Sequence, residues 1–194
     1  MSKSDLVRKQ ICEIGNKLWQ LGFTPSNAGN ICVKIGEDEY LATPTGVSKG
    51  SMTPDMILKI NSNFEVLESM EPYKLTTEIK IHMKALIIRE QYGATATIHT
   101  HAPYSQVFSL IDEPFMEMEG EFVGPKNVPV APFEKPGSDE LADSIVSAIE
   151  KGPCVLLGCH GLLTVGATLQ QAFMLTEMVE HSAKVAFLLR QIKK

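Results

Sequence analysis

The chain has 194 residues, 44% of them hydrophobic, with 18 Lys plus Arg against 23 Asp plus Glu and a formal net charge of -5. That length can bury a sizeable core within one domain, taken to be residues 1–194, and the acidic balance excludes the basic face that nucleic-acid binding requires. No apolar run reaches the roughly 18 residues of a membrane span, and the first residues lead into an amphipathic segment, not a signal-peptide core. A cytoplasmic protein with neither nucleic-acid nor membrane partners is therefore expected. Cys12, Cys32, Cys154 and Cys159 have apolar neighbours and no C-x-x-C spacing, which reads as buried thiols in a reducing compartment.

Apolar residues at near-helical spacing from Asp5 to Leu21 predict a helix that stops at Gly22. Ile31 to Ile35 and Glu39 to Ala42 alternate like a β-hairpin, and Ile57 to Ile60 and Phe64 to Leu67 read as a second one turning at Asn61-Ser62-Asn63. Thr77 to Arg89 has helical period, with Thr76 or Thr77 as its N-cap. A strand follows, then a short helix after Pro103, a loop from Asp112 to Lys126 and a short strand from Val128 to Ala131. A helix from Ser138 to Glu150, strands from Cys154 to Cys159 and from Leu162 to Val165, and a long helix from Thr168 to Ile192 complete the chain. Hairpins grouped between long helices predict an α/β fold, a mostly antiparallel sheet covered by helices on both faces.

The strand after the second helix contains Thr97-Ile98-His99-Thr100-His101, and a third histidine stands in Gly158-Cys159-His160-Gly161. Side chains at i and i+2 leave the same strand face, so His99 and His101 can converge on one divalent ion, with His160 as a third ligand. Cys159, adjacent to His160, falls on the opposite, core-facing side by the same alternation. Glu78, on the first turn of its helix, is the candidate fourth group, as a ligand or as a base. His82 lies at i+4 from Glu78 on the same helix face and reads as a supporting or structural residue; His181 reads as a packing or surface residue. Three segments suit an anion: Asn27-Ala28-Gly29-Asn30 and Thr43-Pro44-Thr45-Gly46, whose turns can present N–H groups, and Thr76-Thr77 at a helix N-terminus. Beside a metal triad they point to a phosphorylated substrate.

The succession Ala28-Gly29-Asn30, Thr43-Pro44-Thr45-Gly46, Thr76-Thr77-Glu78, His99-x-His101 and His160-Gly161-Leu162 resembles the class II aldolase family, in order and over nearly the whole chain. The resemblance implies a three-layer αβα fold with a central antiparallel sheet, and a homotetramer with sites at subunit interfaces. It implies zinc, or another divalent ion such as manganese or cobalt, held by His99, His101 and His160, with Glu78 as fourth ligand or catalytic base. Gly29, Asn30, Thr45, Gly46, Thr76 and Thr77 would surround the phosphate of a phosphorylated sugar. The implied reaction is cleavage of a ketose 1-phosphate to dihydroxyacetone phosphate and a small aldehyde through a metal-stabilised enediolate. A sugar-phosphate 4-epimerase or a 3-oxo acid phosphate decarboxylase would use the same scaffold, and an adducin-like binding module would not need the ligands. The chain departs from the aldolase pattern where a tyrosine is expected in the loop before Val128-Pro129-Val130: the matching position is Met118, with Glu117, Glu119 and Glu121 nearby and Tyr73 and Tyr104 as other hydroxyl candidates. A second departure is the short C-terminus after Ile192, where longer relatives carry a tail.

Overall fold

In the computed structural model of the chain, residues 2–111 and 128–192 are described. The first helix, α1 (Lys3–Gln20), opens with a capping box in which Ser2 and Asp5 exchange side-chain and backbone hydrogen bonds. The strands β1 (Asn30–Lys34), β2 (Tyr40–Ala42), β3 (Leu58–Ile60) and β4 (Val66–Glu68) pair successively as antiparallel neighbours. The expected strand at Phe64 starts later, because Phe64 itself takes a positive φ of 65° as the last residue of the turn.

Next come α2 (Ile79–Ile88), β5 (Ala96–Thr100) and α3 (Pro103–Ile111). After the undescribed stretch the chain forms β6 (Val130–Ala131), α4 (Asp139–Ser144) and α5 (Val146–Lys151). It ends with β7 (Cys154–Leu157), β8 (Gly161–Gly166) and α6 (Leu169–Ile192). The single helix expected over 138–150 is thus two short ones meeting at Ile145, a break that no glycine or proline announces.

Eight strands form one sheet in the order β4-β3-β2-β1-β5-β8-β7-β6, antiparallel throughout except for the β6–β7 pair. Helices cover both faces, as the alternation of strand residues requires. On one face, Cys32, Ala42, Leu163 and Val165 pack with Ile81, Met83 and Leu86 of α2 and with Leu141 and Ile149. On the other, Ile31, Val33, Leu41 and Ile98 meet Ile11, Ile14 and Leu18 of α1 and Phe173 of α6. A third cluster, with Leu156, Leu162 and Phe108, extends that layer under α3 and α6. Ile11, Leu18 and Ile98 are completely buried, and each such side chain stabilises the fold by about 1.5–3 kcal/mol relative to exposure.

The sheet brings one set of strand ends together. Because β1, β5 and β8 run antiparallel in turn, the start of β1, the end of β5 and the start of β8 meet at one sheet edge: Asn30 pairs with His99, and Thr100 with Leu162. The N-terminus of α2 opens at the same place. There α3 is held by Glu180 of α6, a buried carboxylate that accepts from the N–H groups of Tyr104 and Ser105 at 2.9 and 2.8 Å and from the Ser105 hydroxyl at 2.6 Å. It satisfies the otherwise orphaned N–H groups of a helix start and fixes the turn that follows His101.

Candidate active site

His99 and His101 reach their common position as strand alternation requires, His99 from β5 and His101 from the residue just past its end, where its N–H donates to the Phe23 carbonyl at 2.9 Å. His160 comes from the turn between β7 and β8 and donates its N–H to Leu157. The strand expected through Cys159 ends at Leu157, so alternation does not apply to the turn. Cys159 has a φ of 53° and is exposed, not part of the core, and Cys12 is only half-buried.

The three rings are mutually edge-on, with centroids 4.6–5.0 Å apart. Their converging nitrogens lie within 4.8 Å of one another. The Nδ1–H of His99 donates to the Leu162 carbonyl at 3.0 Å, which leaves the Nε2 lone pair directed at the cluster. Burial lowers the proton affinity of all three imidazoles, His99 most strongly, and His160 and His101 further disfavour protonation of His99. They are therefore neutral, able to offer lone pairs to a cation, and their contacts to Glu78 are not ion pairs.

Glu78 is the N-cap residue of α2, where Thr76 or Thr77 was expected, and its side chain makes no capping bond. Instead Oε2 lies 3.6 Å from His99 Nε2 and Oε1 lies 3.2 Å from His160 Nε2. Two ligands about 2.1 Å from a tetrahedral ion stand roughly 3.4 Å apart, and the His99–His101 Nε2 separation is 3.0 Å. Glu78 Oε1 and His160 Nδ1 are buried without hydrogen-bond partners. A carboxylate oxygen and lone-pair nitrogens facing one another at these distances fit a divalent cation between them. Gly161 is what leaves room: a Cβ there would lie 3.2 Å from the rings of both His99 and His101 and collide with the Thr100 carbonyl.

His82 stands one turn along α2 from Glu78 but is not among the converging ligands. It is completely buried, bonds through Nε2 to Asn30 Oδ1, and lies 2.7 Å from Thr97 Oγ1 through Nδ1. Asn30 in turn donates from Nδ2 to Glu78 Oε2 at 2.8 Å. That donation makes Asn30 Oδ1 the acceptor and assigns the Nε2–H tautomer to His82. Burial drops the His82 pKa to about 4, against the opposing pull of Glu78, so the ring is neutral. The bond to Asn30 orients the Glu78 carboxylate, a supporting role in line with the i+4 spacing of Glu78 and His82; what the spacing does not show is that the contact runs through Asn30.

Beside the imidazoles lies a cavity of about 190 Å³ lined by Gly29, Asn30, Thr45, Gly46, Thr76 and Thr77, with Glu78 and His101 on its wall. The six residues expected to surround an anion thus share one cavity, from three separate loops. Gly29 has a φ of 74° and backs onto the histidine strand, where a Cβ would lie 2.7 Å from the His99 carbonyl. Thr76 is buried and its hydroxyl accepts from the Glu78 N–H at 3.3 Å, whereas Thr45, Gly46 and Thr77 are exposed.

Met118, Glu117, Glu119 and Glu121 lie outside the described residues. Of the other hydroxyl candidates, Tyr104 packs on Phe187 with ring centroids 5.6 Å apart, and Tyr73 packs against the α2-side core. Neither lines the cavity beside Glu78. His181 lines a different and larger cavity, between Phe23, Tyr104 and α6.

The chain is 27% identical over 191 residues to 3-oxo-tetronate 4-phosphate decarboxylase of Escherichia coli, a match covering 94% of this chain and 87% of the relative. It is 28% identical over 186 residues to L-fuculose phosphate aldolase of Methanococcus maripaludis, covering 95% and 96%. A solved L-fuculose 1-phosphate aldolase superposes with a TM-score of 0.87 at 29% identity, over 100% of this chain and 90% of that one. These relatives are metabolic enzymes of one scaffold, and residues 9–187 match the family described as class II aldolase and adducin N-terminal domain, to which the chain therefore belongs.

Proposed function

We propose that the protein is a zinc-dependent lyase of phosphorylated sugars, acting as one catalytic domain, that splits a ketose 1-phosphate into dihydroxyacetone phosphate and a small aldehyde. The observation that carries this reading is that Glu78 and His101 belong at once to the imidazole cluster and to the wall of the anion cavity. A phosphate held by the Gly29, Thr45–Gly46 and Thr76–Thr77 loops would put the carbon skeleton against the ligand set. His99, His101 and His160 would hold the ion, with Glu78 as fourth ligand when no substrate is bound. A divalent cation there supplies the Lewis acidity that holds the negative charge left on the oxo fragment.

The residues of the chain do the rest. The phosphate loops fix the substrate so that only one bond lies beside the ligands, which removes orientational entropy from the reacting step. When the C3–C4 bond breaks, its electron pair stays with the dihydroxyacetone phosphate half, the C4 hydroxyl gives up its proton to water as the aldehyde forms, and the Glu78 carboxylate takes up a proton from water in turn. Glu78, aimed by Asn30, delivers a proton to C3.

A decarboxylase reading is favoured by a specific finding, the 27% identity to 3-oxo-tetronate 4-phosphate decarboxylase. There the electron pair of the bond to the departing CO2 stays with the oxo fragment, and Glu78 protonates the same carbon. Zinc-loaded protein assayed with L-fuculose 1-phosphate for dihydroxyacetone phosphate, and with 3-oxo-tetronate 4-phosphate for CO2, decides between the two. Turnover of neither substrate by metal-replete protein would sink both reactions, and absence of both turnover and bound zinc, manganese or cobalt would favour a binding module. We further propose a homotetramer; a monomer by light scattering would count against it.

A further inference from the structure

Lys49 is among the largest fully buried side chains of the described residues, only 1% exposed, whereas the other described lysines reach solvent. Burying an ammonium is costly unless its N–H groups are paired. The Nζ of Lys49 donates to the Val47 carbonyl at 2.7 Å and to the Asn27 carbonyl at 3.2 Å. Those carbonyls belong to two different loops: the 27–30 loop and the loop following Gly46, which form walls of the anion cavity. Lys49 lies against α1 at Gly15, where an added Cβ would meet Met52 Cε at 2.6 Å and the Lys49 carbonyl oxygen at 3.2 Å, so the glycine allows the close approach of the segment that carries Lys49.

The eleven residues lining the cavity include no lysine or arginine, and they do include the Glu78 carboxylate. Among the described residues, a doubly charged phosphate would therefore meet neutral donors and one negative group, with no lining cation except what an ion at the imidazoles would supply. Lys49 is near enough to Glu78 for the carboxylate to favour its charged form, while burial, the larger effect, brings its pKa down to about 8.

We infer that Lys49 is a positioning residue for phosphate binding: its ammonium cross-links the two loops that wall the cavity and places a buried positive charge behind them. This rests on the phosphate-binding reading of the cavity given above. The tether holds the N–H groups of the Gly29 and Gly46 turns where an oxyanion can accept from them, and the charge offsets Glu78. The ligand class is a phosphate monoester in its dianionic form.

Inorganic phosphate titrated into zinc-loaded protein by calorimetry tests the role. Lys49→Met, similar in length but unable to donate, should weaken phosphate binding by tenfold or more while zinc content by elemental analysis stays at the wild-type level. Lys49→Gln, which keeps a donor but not the charge, should recover part of that loss. Unchanged phosphate affinity in Lys49→Met overturns the role of Lys49 and leaves the cavity reading standing; no phosphate binding by the wild-type protein overturns both. A second measurement needs no variant and so does not depend on either one folding. By linkage, a tenfold preference of phosphate for the charged form raises the Lys49 ammonium titration by one pH unit, read by nitrogen-15 NMR of lysine-labelled wild-type protein. A midpoint that phosphate leaves unmoved would likewise overturn the inference.

Discussion

His99 is completely buried on a central strand with its Nδ1–H committed to the Leu162 carbonyl, whereas Thr45, Gly46 and Thr77 of the anion cavity are exposed on turns. The imidazole cluster is framed by sheet pairing, and its ring positions follow from register: His99 opposite Asn30 on one side and Leu163 on the other. The cavity is framed by three loops, two of them joined by a single antiparallel bridge between Pro44 and Leu75, and its shape depends on glycines with positive φ and on cross-loop bonds such as that from the Thr45 N–H to the Lys74 carbonyl. The difference separates two tasks. The rigid half fixes charge through the sheet, while the looped half presents donors whose placement depends on bonds between loops.

The strongest way to break that division is at Glu78, where the halves meet. Glu78→Gln keeps the shape and the acceptor oxygen but cannot take or give the proton, so turnover should fall on the order of 10²–10⁴-fold with zinc still bound. Full activity in that variant, measured with whichever substrate the wild type turns over, would remove Glu78 from the proton transfer. His99→Ala acts on the rigid half alone and should abolish zinc binding by elemental analysis; an unchanged zinc content would refute the ligand assignment.

Acid sensitivity sharpens the comparison next. His82 titrates near 6.5 when unfolded but only at about 4 when folded. Between those values unfolding takes up a proton, so stability is lost as pH falls from 6.5 toward 4, by on the order of 3 kcal/mol at most. Urea titrations of metal-free protein across that window should show a shallower loss in His82→Gln; the same slope in variant and wild type would contradict a neutral buried His82. His99, His101 and His160 are shifted in the same direction by burial and contribute in both proteins, so the variant reduces the acid-induced loss without abolishing it.

Gly161→Ala should destabilise the fold by about 1–3 kcal/mol, since the added methyl meets the Thr100 carbonyl and both rings. Thermal unfolding that matches wild type would show that the strand end yields more than the tight packing suggests. The smallest effect belongs to the exposed cavity. Thr77→Val removes one hydroxyl and should cost phosphate affinity about 1 kcal/mol without altering zinc content, and loss of zinc in that variant would mean that the two halves are not separable.

Much of this was legible before the fold was known. His99 and His101 could be paired because a strand repeats every two residues, and three anion-binding segments could be singled out because turn and cap chemistry is local, whereas grouping six of their residues around one phosphate rested on the family resemblance. The errors fall where local rules stop. Cys159 was assigned to the core by extending strand alternation into a turn, the 138–150 helix hid its break at Ile145, and the N-cap of α2 proved to be Glu78 itself.

What the sequence determined by itself is chemical: a carboxylate, three histidines and three donor-rich loops, in an order shared with a family, and the periodicities that put them on a sheet and at a helix start. Tertiary structure decided the partnerships. Only the antiparallel register of β1, β5 and β8 brings Asn30 beside His99, and only the packing of α2 on that sheet inserts His82 between Asn30 and Thr97. The burial of Lys49 under α1 belongs to the same class. Periodicity states which way a side chain points along its own segment; contacts such as His82 with Thr97, 15 positions apart, and Asn30 with His99, 69 apart, arise only when the hydrophobic faces of distant segments are buried against each other.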